Sequence, residues 1–124
     1  MRRGTRAQYV THRHAARALV HERLEHFNCF YKYEYKKVFI RNTRSRWGSC
    51  SQKGNLNFNY KLLFLPPLIR DYIIVHELCH LKEFNHSVRF WALVAQSVPE
   101  YRQLRKALRT LERSRVQLRS IYAT

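Results

Sequence analysis

The stretch His76-Glu77-Leu78-Cys79-His80, followed by His86, concentrates the residues best suited to chemistry. Two histidines four residues apart lie on one face of a helix, one turn apart, so both imidazoles can reach a single ion. Neutral imidazoles favour zinc among the divalent metals. The glutamate after the first histidine is placed to take a proton from a water molecule that the metal polarises. The pattern therefore predicts metal-assisted hydrolysis, with zinc as cofactor, His76 and His80 as ligands and Glu77 as general base.

Two protein ligands are too few, because a catalytic zinc commonly has three plus water. His86, Glu83, Glu100 and Glu112 are candidates for the third. Glu83 shares the helix face, but seven residues from His76 is about 10 Å along a straight helix. It is expected beside the site rather than on the ion. His86 can serve if the helix stops and the chain turns back at Phe84-Asn85, where Asn tolerates the left-handed conformation. Glu100, from a downstream helix, is the alternative. Cys79 points off the ligand face and is expected to behave as a small buried apolar residue. Tyr60, Tyr72, Tyr101 and Asn59 are oxyanion stabilisers by residue type only.

The motif sits on a helix expected over 67–83, opened by Pro66-Pro67. Upstream, Ala16, Leu19, Val20, Leu24 and Phe27 recur at helical steps and predict a helix over 10–28. His12, His14, His21 and His26 lie in or beside it and read as solvated or helix-edge residues. Residues 36–48 and 55–60 read as strands, separated by a turn at 51–54 in which Gly54 is available for positive φ. In the second strand Leu56, Phe58 and Tyr60 face one way, and Asn55, Asn57 and Asn59 the other. The two strands suggest an antiparallel hairpin or small antiparallel sheet, with Trp47 and Cys50 in the core. Were 55–60 an edge strand, it could align an extended peptide by strand addition, with Asn57 and Asn59 as candidate substrate contacts. Ser87 is a plausible N-cap for a helix over 88–97. After Pro99, a last helix over 100–121 carries Tyr101, Leu104, Leu108, Leu111 and Leu118 as its apolar stripe. Arg102, Arg105, Lys106, Arg109, Arg113 and Arg119 cover the remainder. The whole is expected to be one α+β domain spanning 1–124.

The net charge is +16, and it is unevenly placed. Residues 1–46 carry twelve Lys/Arg against three acids, residues 47–99 five against three, and residues 100–124 seven against two. Basic flanks around a nearly neutral middle attract polyanions such as nucleic acid. Three cysteines without a CxxC pair argue for reduced thiols in a reducing compartment. No segment has the length of a membrane span, and the basic start is not followed by the apolar run of a secretory signal. The expected location is the cytoplasm.

The segments RSRWGSC (44–50), GNLNFNYKLLFLP (54–66), DYIIVHE (71–77) and VHELCHLKEFNHSVRFW (75–91) together resemble the YgjP-like metallopeptidase family. They are more distantly similar to the SprT-like and WLM zinc peptidases. The histidine spacing is also that of the metzincin pattern HExxHxxGxxH, with Glu83 where that pattern has Gly. The resemblance implies a minimal zincin domain: a helix on a small antiparallel sheet, then the zinc-bearing helix. It implies His76, His80 and His86 as zinc ligands, Glu77 as the catalytic residue, and a peptide or protein as substrate. Many relatives carry an additional β-rich region ahead of the first helix. Two other functions fit the residues: a zinc-dependent nucleotide phosphoanhydride hydrolase, and a nucleic-acid-associated protease or zinc module.

Overall fold

The computed structural model describes residues 3–122, with side-chain surroundings given for residues 3–114. The expected side-chain positions of Leu118 and Arg119 lie outside these described residues. The order of elements is α1 (Arg6–Tyr31), β1 (Val38–Arg41), β2 (Gly48–Cys50), β3 (Leu56–Asn59), a 3-10 helix (Tyr60–Phe64), α2 (Pro67–His80), α3 (Val88–Ser97) and α4 (Tyr101–Tyr122). The α+β expectation is borne out. Among the described residues, no helix is long and apolar enough to cross a membrane.

Helix α1 starts four residues earlier than its apolar pattern suggests because Thr5 and Gln8 form a capping box. It ends at Lys32, which adopts φ 57° and closes the helix by donating its N–H to the Asn28 carbonyl. The Asn28 side chain fixes that unusual cap: its amide donates to the Tyr33 carbonyl and its oxygen accepts the Tyr33 N–H. Ala16, Val20 and Leu24 form the fully buried stripe of α1. His14, His21 and His26 are exposed, whereas His12 is half-buried and meets Phe64 edge-on and Tyr60 face-on. A bidentate ion pair, Arg23 to Asp71, ties α1 to α2 with N–O distances of 3.0 and 3.1 Å.

The sheet departs from the expected antiparallel arrangement. Its order is β1-β3-β2, with β3 in the centre. β2 and β3 form the expected antiparallel hairpin, turned by residues 51–55 with Gly54 at φ 90°. β1 pairs with β3 in parallel, Val38 opposite Leu56 and Arg41 opposite Asn59. Residues 36–48 are therefore not one strand: 42–47 form a loop that carries the chain from β1 past β3 to the far edge. Alternation reveals which face a residue takes, not which neighbour its strand will have. Tyr60, expected to end the strand, instead starts the 3-10 helix.

Helix α2 runs through the middle of the molecule. Ile69, Tyr72, Ile73, Ile74, Val75, Leu78 and Cys79 are all buried, so it has core on nearly every side. It stops at His80, three residues before the expected end. Leu81-Lys82 tighten into a turn, where the Leu81 N–H reaches the Leu78 carbonyl and the Lys82 N–H reaches that of Cys79. Asn85 does not take up the left-handed conformation expected of it, since Lys32 is the one non-glycine residue with positive φ among those described. Ser87 caps α3 as expected, accepting the Phe90 N–H at 3.3 Å. On α4 Leu104 is buried, and Tyr101, Leu108 and Leu111 are partly buried against the core. Arg102, Lys106, Arg109 and Arg113 face solvent.

Candidate metal centre

His76 and His80 project from one face of α2, and the turn after His80 brings His86 back to meet them. The three Nε2 atoms form a nearly equilateral triangle with sides of 3.1, 3.2 and 3.2 Å. Three like-facing nitrogens do not satisfy one another, whereas a single cation satisfies all three lone pairs. Among the described residues this triad is the one cluster of His, Cys, Asp or Glu able to hold a metal ion. Glu83, Glu100 and Glu112 are not part of it. Glu83 contributes its backbone instead: its carbonyl lies 3.0 Å from His80 Nδ1, which puts the His80 lone pair on Nε2. Tyr72 Oη lies 3.3 Å from His76 Nδ1 and supports the second ring in the same way.

Aromatic residues set the rings' planes. His80 stacks on Phe90 with centroids 4.3 Å apart, and His86 lies nearly parallel to Trp91. Trp91 is backed by Tyr101, stacked at 4.8 Å, and by the Arg105 guanidinium at 4.6 Å. Phe90 and Trp91, on the helix expected over 88–97, are the walls of the histidine cluster. The phenylalanine-tryptophan pair that follows Asn85-His86-Ser87 was the available signal.

The electrostatics favour the neutral rings of His76 and His80. Burial, with the two neighbouring imidazoles and Arg105, pushes His76 down to about 3. Burial also lowers His80. Neutral imidazole is the ligating form, so His76 and His80 are ready for a cation without first losing protons.

Glu77 points to the opposite wall of the same pocket. This opening is lined by the three histidines, Glu77, Phe84, Arg46 and the whole of β2, Gly48-Ser49-Cys50. Gly48 is required there: a Cβ on it would come within 2.9 Å of Glu77 Cγ and 3.1 Å of the Asn57 carbonyl oxygen. Burial pushes the Glu77 carboxyl up to about 8, against the opposing influence of Arg46. A carboxyl poised near neutrality is suited to accept a proton and return it. Cys50, on the same strand, is pushed up to about 11 by burial and by Glu77, and is held as a thiol. Cys79 is wholly buried, faces away from the triad and is pushed up to about 12 by burial.

The asparagines divide. Asn57 is half-buried on the sheet and accepts Arg41 Nε at 3.1 Å. Asn59 is 1 % exposed. Its amide donates to the Thr43 carbonyl, Thr43 Oγ1 and the Arg46 carbonyl, and its oxygen accepts the Lys61 N–H. It is thus almost wholly buried beneath the 42–47 loop, with its side-chain groups taken up by protein partners, and it does not line the pocket that holds the histidines. Of the four residues suggested for an oxyanion by type, Tyr60, Tyr72, Tyr101 and Asn59, none lines the pocket; Tyr72 and Tyr101 stand behind its histidine and tryptophan rings.

Two histidines on a buried helix, a third returned to them by the turn that follows, a carboxylate beside the first and a short strand closing the cleft define a metallopeptidase of α+β architecture. The chain belongs to the YgjP-like family, whose metallopeptidase-domain model matches residues 4–111. It is similar in structure to the metallopeptidase zymogen abylysin of Pyrococcus abyssi, with 29 % identity, a TM-score of 0.67, and coverage of 73 % of this chain and 92 % of that one. Its fold also matches the metallopeptidase zymogen jannalysin of Methanocaldococcus jannaschii, with 22 % identity, a TM-score of 0.56, and coverage of 77 % and 96 %. No curated protein sequence matches the chain significantly.

Proposed function

We propose that the chain is a zinc-dependent peptidase in which His76, His80 and His86 hold the ion and Glu77 is the general acid and base. The observation that carries this reading is the convergence of three Nε2 atoms within 3.2 Å of one another in a pocket that also holds Glu77. Tetrahedral zinc with Zn–N distances near 2.0–2.1 Å requires nitrogens about 3.3–3.4 Å apart, close to the spacing found. All three donors are imidazoles, and the set leaves room for a non-protein ligand, which suits catalytic zinc. Bound zinc supplies Lewis-acid activation of water and of the scissile carbonyl.

The remaining work belongs to the chain. Glu77 accepts the proton of the attacking water and delivers it to the leaving amine, and its burial keeps that exchange near neutral pH. Peptide alignment falls to β2 rather than to β3, because β3 is central and β2 is an edge. The hairpin is bonded through Trp47–Asn59 and Ser51–Asn55, so alternation turns the N–H and C=O groups of Gly48 and Cys50 toward the open edge. An extended peptide can add there, beside the histidines.

Metal analysis of wild type beside His86→Ala tests the ligand set. The expected result is one zinc per wild-type chain and affinity at least a hundredfold weaker in the variant; equal affinity would remove His86 as a ligand. Glu77→Gln should keep its zinc and its fold while losing peptide hydrolysis by roughly 10²–10⁴-fold. Hydrolysis of nucleoside triphosphates but of no peptide would replace the peptidase reading with the phosphoanhydride one.

The three cysteines are free thiols, one of them exposed, which supports a cytoplasmic setting. A second reading adds nucleic acid as a partner, supported by the exposed Arg102, Lys106, Arg109 and Arg113 on α4 and a net charge of +16. Its test is the salt dependence of DNA binding, where a slope near zero sinks it.

A further inference from the structure

The sheet has two faces, and the site described so far uses one of them. Val38, Ile40, Leu56 and Phe58 are buried on the face toward the helices. Alternation therefore sends Phe39, Arg41 and Asn57 to the other face, where Ser49 pairs opposite Asn57. A second cavity of about 240 Å³ opens there, lined by Arg41, Thr43, Arg46 and Ser49 together with Asn57, Phe58 and Asn59 of β3. It shares Arg46, Gly48 and Ser49 with the metal-facing pocket, so the two cavities meet across the thin edge strand β2.

This second cavity is cationic and polar. Arg41 is held in place by its Nε bond to Asn57 Oδ1 and by lying over the Phe39 ring at 4.6 Å. Arg46 is exposed at the rim common to both cavities. Ion pairs among the described residues join Arg23 and Arg70 to acids; neither Arg41 nor Arg46 is in one. No carboxylate lines the cavity. Two guanidinium groups, a hydroxyl and an amide facing one small cleft make a set of donors for an anion, and Arg binds carboxylate in a fork geometry.

We propose that this cleft is a subsite for an acidic side chain of the substrate, so that the enzyme prefers Asp or Glu at one position flanking the scissile bond. A peptide added to β2 places successive side chains on opposite sides of the sheet. One points toward the histidines; the next points toward Arg41 and Arg46. The inference rests on the peptidase reading, and it identifies acidic peptides as that site's substrate class.

Matched peptides bearing Glu, Gln or Lys at each position around the scissile bond test it on the zinc-loaded protein. Glu should exceed Gln by roughly five- to tenfold in kcat/KM at one position, with Lys lowest. Arg41→Gln should bring the Glu-to-Gln ratio at that position toward one, and Arg41→Glu should invert it in favour of Lys, which a purely structural role for Arg41 would not do. Binding of the same peptides to zinc-loaded Glu77→Gln gives the ratio without turnover. Ratios within twofold at every position in both assays, or a Glu preference that survives both Arg41 variants, would overturn the subsite. If wild type cleaves no peptide, the peptidase reading fails, while the binding ratio still decides for or against the acidic cleft.

Discussion

Helix α2 and strand β2 face each other across one pocket and are built on opposite lines. α2 is buried on nearly every side, from Ile69 to His80, and carries Glu77 and two of the three histidines. β2 is three half-buried residues at a sheet edge. The helix owes its position to its own burial. The strand owes its position to distant anchors: Asn59 beneath the preceding loop, and Trp47, whose indole N–H donates to Glu112 on α4 at 2.8 Å. The difference teaches that chemistry which tolerates no displacement is carried by the core. The surface proposed to admit a peptide is left open at an edge and steadied from behind.

The comparison breaks most sharply where the two elements touch. Gly48→Ala would force the new methyl against Glu77 Cγ, 2.9 Å away, or push β2 from β3. Glu77 has little freedom to yield, because it is buried in the helix. A shift of about 1 Å in a catalytic group costs on the order of a hundredfold in rate. The expected outcome is a kcat lower by that factor with zinc stoichiometry unchanged. Loss of zinc along with activity would show that β2 and α2 are one unit rather than two.

A step smaller is Asn59→Ala. The substitution removes the buried amide that meets the Thr43 and Arg46 carbonyls and the Lys61 N–H, in part-buried bonds. Leaving such groups unmet costs about 2 kcal/mol. Chemical denaturation should register that loss, and activity should fall more than zinc affinity, since the 42–47 loop supports β2 and Arg46 but none of the histidines. Equal falls in both would deny the division of labour.

The same division decided what could be read from the residues alone. His76, Glu77 and His80 were legible because helical spacing places them by itself, and His86 because only a turn after His80 could bring it back. The position of that turn was not legible: Leu81-Lys82 tighten the helix end by ordinary backbone bonding, and Glu83 serves through its carbonyl, which any residue would supply. On the strand side, alternation found the inward face of β3 but not its partners. Val38 and Ile40 look the same whether their strand runs parallel or antiparallel to β3. Asn59 looked outward by alternation and is indeed on the outer face, yet the 42–47 loop folds over it, and a loop's path leaves no period in the sequence. Gly48 could have been recognised within RSRWGSC, but its reason, the approach of Glu77, exists only in three dimensions.

The smallest expected effect concerns the anchor from α4. Trp47→Phe keeps an aromatic ring in the buried site and removes the donor to Glu112, leaving that half-buried carboxylate to find solvent. The loss of one hydrogen bond to a charged acceptor, partly compensated by water, should cost about 1 kcal/mol. The chain should stay folded and bind zinc normally, and kcat/KM should fall by less than tenfold. Glu112→Gln retains an acceptor for the indole and should cost less still. If Trp47→Phe instead lowered zinc affinity, α4 would be bracing the histidine side through Tyr101, Trp91 and His86 as well as the strand. The contrast between a self-supporting helix and a propped strand would then have to be redrawn around α4.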